Sequence, residues 1–229
     1  MTELQELPFW PYLTTHQKAA VSANSQLRKF AKREMVYAEN KGVYSLHFIT
    51  VGRVKVCRYF GDMREIILDV VPHGRFVSFQ PIVETPDEME FAEAVLTSKI
   101  VTINAQLVKD LMQENPLFSS FMFQQLAERY NKTVSRLSLV HPTILIKQQI
   151  VNLLVELAED FGRPVGDETI IEHGLSHHEM ANMIHRSRQS VTGVMRQMKK
   201  ADFVNYTRTA ILVRDMNKLK KWAEVRHFM

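Results

Sequence analysis

Residues 176–198 hold the side chains with the clearest chemistry. Arg188 and Gln189 are followed by Ser190, Thr192 and Arg196. Arginine can donate to guanine O6 and N7 together, and glutamine can pair with adenine N6 and N7. Ser187 and Ser190 can hold phosphates. The chemistry on offer is the reading of a DNA major groove. Spacing supplies a scaffold for it: Val191, Val194, Met195 and Met198 recur at i, i+3, i+4 and i+7, the inner face of a helix, and leave Arg188, Gln189, Ser190, Thr192 and Arg196 pointing outwards. Ser187 is placed to cap that helix. A shorter helix precedes it, His177 to about Ile184, with Ser176 as N-cap and Glu179 at the capping-box position. Its apolar face is Met180, Met183 and Ile184, and Ala181 lacks bulk where two helices must cross. His185 and Arg186 form the turn, histidine being one of the few side chains enriched in left-handed backbone.

A polar-faced helical hairpin of no function would show the same spacing, and charge separates the two readings. From Ser176 onwards there are 11 Lys+Arg and 4 Asp+Glu, while the preceding residues carry 18 and 21. The net +4 is the average of an acidic body and a basic tail, the electrostatic footprint of a nucleic-acid-binding module. A rival reading is a β-rich regulatory module whose last domain binds protein only, and the basic final segment argues against it.

The remaining composition narrows the class. The chain has 229 residues, 45% hydrophobic and 24% charged, as expected of a soluble globular protein of one or two domains. No apolar run approaches the ~20 residues of a membrane span, and the N-terminus has no signal-peptide core. The single cysteine, Cys57, forms no internal disulfide and suits a reducing cytoplasm. No phosphate-cradling glycine loop or Gly-x-Ser-x-Gly nucleophile motif is present, so the chain is not expected to be an enzyme.

Earlier in the chain, Phe9 and Trp10 belong to a packed N-terminal lead, followed by a helical stretch around His16 to Val21. From Gln26 to Ile103 the hydrophobic period is two. Val43 to Thr50, Val51 to Tyr59 and Arg64 to Val71 alternate, with turns at Gly61-Asp62 and Pro72-His73-Gly74, and Phe91 to Leu96 and Ile100 to Ile103 continue the pattern. Short strands separated by Gly and Pro imply a sandwich or barrel, with Val54, Val56 and Ile66 to Leu68 in its core. Asn104 caps a helix over 105–114. Pro116 opens a long helix to about Val140, in which Phe123, Ala127, Tyr130, Val134 and Leu137 recur at steps of four and three, a two-stranded coiled-coil seam expected to pair two chains. His141-Pro142 breaks that helix. Another follows from Thr143 to Phe161, with Ile144, Ile146, Ile150, Leu153, Leu154 and Leu157 as core, and Gly162 to Gly166 ends it. A short strand at 169–171 leads into the two helices of the opening paragraph. Residues 203–213 then alternate on both sides of Thr207–Thr209, a hairpin or wing with Arg208 near its tip, and Met216 to Val225 is a basic helix.

This order resembles the cyclic-AMP receptor protein/FNR superfamily of transcription regulators. The motifs that carry the resemblance are Leu175-Ser-His-His-Glu-Met-Ala181 and Ser187-Arg-Gln-Ser-Val-Thr192, supported by Val51-Gly-Arg-Val-Lys-Val56, Asn115-Pro116 and Asp160-Phe-Gly-Arg-Pro164. It implies an α+β architecture: a β-roll (jelly-roll) sensor domain over 1–114, a long dimerisation helix and hinge over 115–141, and a winged helix-turn-helix over 142–229. The implied partners are a second copy of the chain, double-stranded DNA at a pseudo-palindromic site and RNA polymerase, with no membrane. Arg188 takes the place of the guanine-reading arginine. Ser176, Ser187 and Ser190 fall at phosphate-contacting positions, with His177, Thr192, Arg196 and Arg208 beside them. Two departures stand out: Gln189 replaces the usual glutamate, and Gly193 sits where many members have a second base-reading arginine, so the operator is expected to differ.

The implied effector pocket is Phe76, Val77, Ser78, Glu90, Phe91, Arg129 and Thr133. Cyclic-nucleotide binders carry an arginine for the phosphate; here Glu90 aligns with it, among Glu84, Asp87, Glu88 and Glu93. Unpaired carboxylates repel a phosphate, so cyclic AMP is not expected to bind. No cofactor is demanded. Haem, used by some relatives, would need His47, His73, Cys57 or a methionine as axial ligand, but ordinary surface or hairpin histidines are far commoner. His173, His177, His178, Glu179 and His185 do not converge as a zinc site requires. Cys57 would be a redox sensor only if exposed with a lowered pKa; alternation groups it with Lys55 and Tyr59, opposite Val54 and Val56, on a face that could be the outer one, but an ordinary strand filler is the commoner reading.

Overall fold

In the computed structural model the described residues are 2–38, 45–60, 64–83, 89–139, 144–208 and 210–224. The Gly61-Asp62 turn, the Glu84, Asp87 and Glu88 carboxylates, the His141-Pro142 break, Thr143 and Thr209 lie outside them. The chain divides into two compact units, Met1–Lys132 and Thr133–Met229.

In the first unit, alternating segments become strands β1 (Ser25–Phe30), β2 (Met35–Tyr37), β3 (Ser45–Val51), β4 (Arg53–Phe60), β5 (Arg64–Pro72), β6 (Glu90–Ala94) and β7 (Ser98–Asn104), after helices α1 (Thr2–Gln5) and α2 (Thr15–Ala23). They form two sheets, ordered β1-β7-β3 and β2-β6-β4-β5. Between the sheets lie Phe30, Ile49, Val54, Val56, Val71, Val77 and Ile100. The other face of the three-stranded sheet packs Leu46, Phe48 and Val101 against Leu7, Phe9 and Val21 and against helices α3 (Ala105–Glu114) and α4 (Pro116–Leu139). β3 is therefore covered on both faces, which is why Leu46, His47, Phe48 and Ile49 are all buried. Gly52 makes the β3–β4 turn at φ +96°, and a Cβ there would meet Ser98 Oγ at 2.3 Å. The local signals hold: Asn104 Oδ1 accepts from the amides of Gln106 and Leu107, and Phe9 is core.

Strand β5 departs from simple alternation, and register shifts also mark the β2–β6 and β3–β7 pairings. The β4–β5 register shifts so that Val56 faces Asp69 and Cys57 faces Ile67. Leu68 is the extra residue of that bulge and is 41% exposed. The expectation that Ile66 to Leu68 is core therefore holds only for Ile67; Ile66 is half-buried.

In the second unit the described helices are α5 (Ile146–Phe161), α6 (His177–Met183), α7 (Arg188–Lys200) and α8 (Met216–Glu224), with strands β8 (Gly162–Val165), β9 (Glu168–Ile171), β10 (Val204–Tyr206) and β11 (Ile211–Val213) in a sheet ordered β10-β11-β9-β8. α5 starts later than the pattern implied: Leu145 is extended at the N-cap, its amide donating to the Gln148 side chain, and Ile144 precedes the helix. Residues Gly162–Val165 form β8, paired with β9 (Glu168–Ile171) through a turn at Gly166, φ +61°. The loss of helix at a Gly-x-Pro sequence was legible. The strand needed β9 as partner, which in turn pairs with β11 (Ile211–Val213), the second strand of the wing after β10 (Val204–Tyr206).

Candidate nucleic-acid interface

The helix-turn-helix is built as its sequence dictates. Ser176 Oγ accepts from the Glu179 amide at 3.3 Å, and Glu179 Oε2 accepts from the Ser176 amide at 2.7 Å, a closed capping box. α6 ends at Met183, one residue short of the expected end. His185 takes φ +52°, as a left-handed turn requires. Ser187 Oγ accepts from the Ser190 amide at 3.1 Å and caps α7. Val191, Val194, Met195 and Met198 are buried, while Arg188, Gln189 and Arg196 stand exposed.

Tertiary packing then sorts the outward side chains. Thr192 is half-buried rather than fully outward: its Oγ1 lies 3.1 Å from His177 Nδ1, a hydrogen bond joining α6 to α7. The His177 ring also packs on Tyr206 of β10, with centroids 5.4 Å apart. Burial, and then the charges of Arg188 and Arg196, lower the His177 pKa below its usual value. The Ser176 hydroxyl also donates to Glu179 Oε2 at 2.8 Å and must leave that bond to hold a phosphate. Ser187 and Ser190 share a hydrogen bond of 2.9 Å. Arg208 is exposed in the turn between β10 and β11, where the Thr207 amide donates to the Ala210 carbonyl at 2.9 Å.

Three residues escaped the sequence reading. Gln149 of α5 is buried, and its Oε1 accepts from Arg186 Nε at 2.7 Å, fixing the turn to the helix behind it. Tyr206 supports His177, and Lys199 lies 5.2 Å from the Tyr206 ring. No local signal marks these pairs, since Gln149 and Arg186 are 37 positions apart. Arg214, counted in the basic tail, pairs with Glu168 and Asp202. Among the histidines of the region, His173 is buried, with Nδ1 accepting from the Leu175 amide, and His178 and His185 are exposed. Among the described residues no group of His, Cys, Asp and Glu is arranged to hold a metal ion.

The proposed effector residues come together only in part. Phe76 is core, 5.0 Å from the Phe48 ring and 5.8 Å from Phe9, whereas its neighbour Val77 faces the space between the sheets. Phe91 stacks on Tyr59, on the opposite side of β6 from Glu90, because successive strand residues point to opposite faces. Thr133 is exposed and lies in the second unit. Glu90 and Ser78 do meet: Ser78 Oγ donates to Glu90 Oε1 at 2.5 Å and the Tyr37 hydroxyl donates to the same oxygen at 2.6 Å. Burial and then the Glu90 carboxylate raise the Tyr37 pKa well above the usual phenol value. Arg129 of α4 donates to the Val77 carbonyl at 2.7 Å and to Asp69 Oδ2 at 3.1 Å.

One expectation is thereby corrected. Glu90 is not an unpaired carboxylate, and neither is Glu93, which lies 3.4 Å from Lys55 Nζ; both repel an incoming phosphate less than isolated charges would. Cys57 does point away from the inter-sheet core, opposite Val54 and Val56, but that face is covered there. Lys55 lies 2.9 Å from Glu65, Cys57 Sγ donates to the same Glu65 oxygen at 3.4 Å, and Cys57 is fully buried. Burial first, then Glu65 and Glu93, push the thiol up against the opposing pull of Lys55, so neither condition for a redox sensor is met. His47 is buried with its ring 5.4 Å from that of Tyr37, and burial and Arg28 hold its pKa down at about 4. His73 is exposed.

A β-roll of the cyclic-nucleotide-binding type followed by a winged helix-turn-helix defines a DNA-binding transcription regulator. Comparison with known families agrees: residues 27–115 match the cyclic nucleotide-binding domain, and residues 148–222 match the Crp-like helix-turn-helix domain. The chain is 22% identical over 205 residues to a CRP-like cAMP-activated global transcriptional regulator of Mycobacterium tuberculosis, covering 90% of this chain and 91% of the relative. It is 24% identical over 187 residues to the global nitrogen regulator of Synechocystis, covering 80% and 82%. Among solved structures, FixK2 from Bradyrhizobium japonicum superposes with a TM-score of 0.74 at 13% identity over 86% of this chain and 96% of that one. A CooA variant from Carboxydothermus hydrogenoformans gives 0.72 at 21% identity over 87% and 88%. The chain belongs to the CRP/FNR family of transcription regulators, a family of DNA-binding proteins and not of enzymes. No described helix is long and apolar enough to cross a membrane.

Proposed function

We propose that this regulator acts as a homodimer that reads a two-fold symmetric DNA site, working in the cytoplasm beside RNA polymerase. The observation that carries the reading is α7: Arg188, Gln189 and Arg196 are exposed on one face while Val191, Val194, Met195 and Met198 anchor the other. Arg188 reads guanine, Gln189 reads adenine, and Arg196 and Arg208 hold phosphates. Two recognition helices of a dimer enter successive major grooves about 34 Å apart. The pairing surface is the α4 seam, where Phe123, Tyr130 and Leu137 are 72%, 66% and 68% exposed. Selection of sites from random duplex DNA by the purified protein, with no added ligand, tests this. The expected result is an inverted repeat containing guanine and adenine in each half. Enrichment of no sequence at low salt overturns it.

Cyclic AMP is not the signal. The Mycobacterium tuberculosis relative is described as cAMP-activated, but here Glu90 stands at the phosphate position, held by Tyr37 and Ser78. Admitting a phosphate there means breaking both bonds and burying an anion beside a carboxylate, a cost of several kcal/mol. Titration calorimetry with cyclic AMP is expected to show no saturable heat up to millimolar ligand. Micromolar binding would sink this statement without touching the DNA reading.

A further inference from the structure

Gly193 is the sixth of the thirteen residues of α7, well inside a helix, where glycine is the least favourable residue after proline. Two ordinary reasons for an interior glycine are absent. A side chain there would not clash, because an added Cβ meets nothing within 4 Å. The backbone does not demand it either, since among the described residues the glycines with positive φ are Gly52, Gly74, Gly166 and Gly174. What remains is the outside. Gly193 is exposed, on the same helical face as Gln189, four residues before, and Arg196, three residues after. It leaves a gap in the row of side chains that faces DNA. Helical spacing puts the stems of Gln189 and Arg196 on either side of that gap, over the Cα of Gly193. A shallow apolar notch of this kind matches the one apolar group that base pairs present in the major groove, the C5 methyl of thymine.

We propose that Gly193 is a specificity-determining residue, its missing side chain forming the notch that receives a thymine methyl on the major-groove edge. The proposal rests on the DNA-binding reading above and deepens it. The test is Gly193→Ala, with affinity for the selected site measured beside the melting temperature. Alanine is the better helix former, so the variant is expected to melt a few degrees higher. The added methyl fills the notch, so affinity is expected to fall roughly ten-fold. A gain in stability with a loss of binding cannot come from misfolding. In parallel, uracil replaces each thymine of the half-site in turn, removing one methyl only. At one position this should weaken the wild type several-fold and leave Gly193→Ala unchanged. Unaltered affinity and sequence preference in Gly193→Ala overturn the proposal, as do a lowered melting temperature or uracil tolerance at every thymine. Failure of the wild type to enrich any sequence would overturn the DNA reading itself, a result distinguishable from all of these.

Discussion

Arg188→Ala is expected to bind the selected site about 5- to 150-fold more weakly than the wild type, a loss of ~1–3 kcal/mol, and to lose its preference for guanine at one position of each half-site. The expectation follows from the position of the side chain. Arg188 is the first residue of α7, directly after the Ser187 cap, and is exposed. Truncating it removes no packing and leaves the cap bond from the Ser190 amide intact, so the melting temperature should not move. A phosphate contact would behave differently: it would weaken all sequences alike and reduce the salt dependence of binding. Competition binding with a set of single-base variants, repeated at two salt concentrations, distinguishes the two. Uniform weakening across the set would reassign Arg188 to the DNA backbone and leave Gln189 as the base reader.

A double substitution in the seam should have a larger effect. Phe123→Glu with Tyr130→Glu is expected to give a folded monomer at micromolar concentration that binds the operator at least 100-fold more weakly. Each of these rings, buried in a dimer, contributes roughly 1.5–3 kcal/mol, and two carboxylates facing their own copies add repulsion. The same residues are largely exposed in the single chain, so a folding defect is not expected. Sedimentation velocity gives the oligomeric state and circular dichroism the fold. A variant that sediments as a dimer would remove the seam from the interface. Monomerisation with unchanged operator affinity would instead separate dimerisation from DNA reading.

These two predictions draw on parts of the chain that were legible from sequence, and the reason is the range of the interactions. The period of Val191, Val194, Met195 and Met198, the capping box of Ser176 and Glu179, the Ser187 cap and the left-handed His185 are all decided within one or two helical turns. Strand alternation from β1 to β7 is likewise a property of adjacent residues. Neighbours in the chain therefore announced the helix-turn-helix, the wing and the β-rich first half.

What the sequence could not supply is what depends on residues far apart. The β4–β5 bulge places Leu68 in solvent, and the pairing of Lys55 with Glu65 and Glu93 closes over Cys57; alternation carries no information about either. Of the carboxylates expected to repel a ligand, the described ones, Glu90 and Glu93, are partnered, Glu90 by a tyrosine 53 positions away. The Thr192 hydroxyl is engaged by His177, and Arg186 is fixed by Gln149. By itself the sequence determined the elements, their order and the chemistry presented by the recognition helix, because short-range periodicity and capping suffice for those. Only the tertiary structure decided which polar groups are satisfied internally and which remain for a ligand, because the cost of burying a charge or hydroxyl is set by partners that the fold brings together from distant positions.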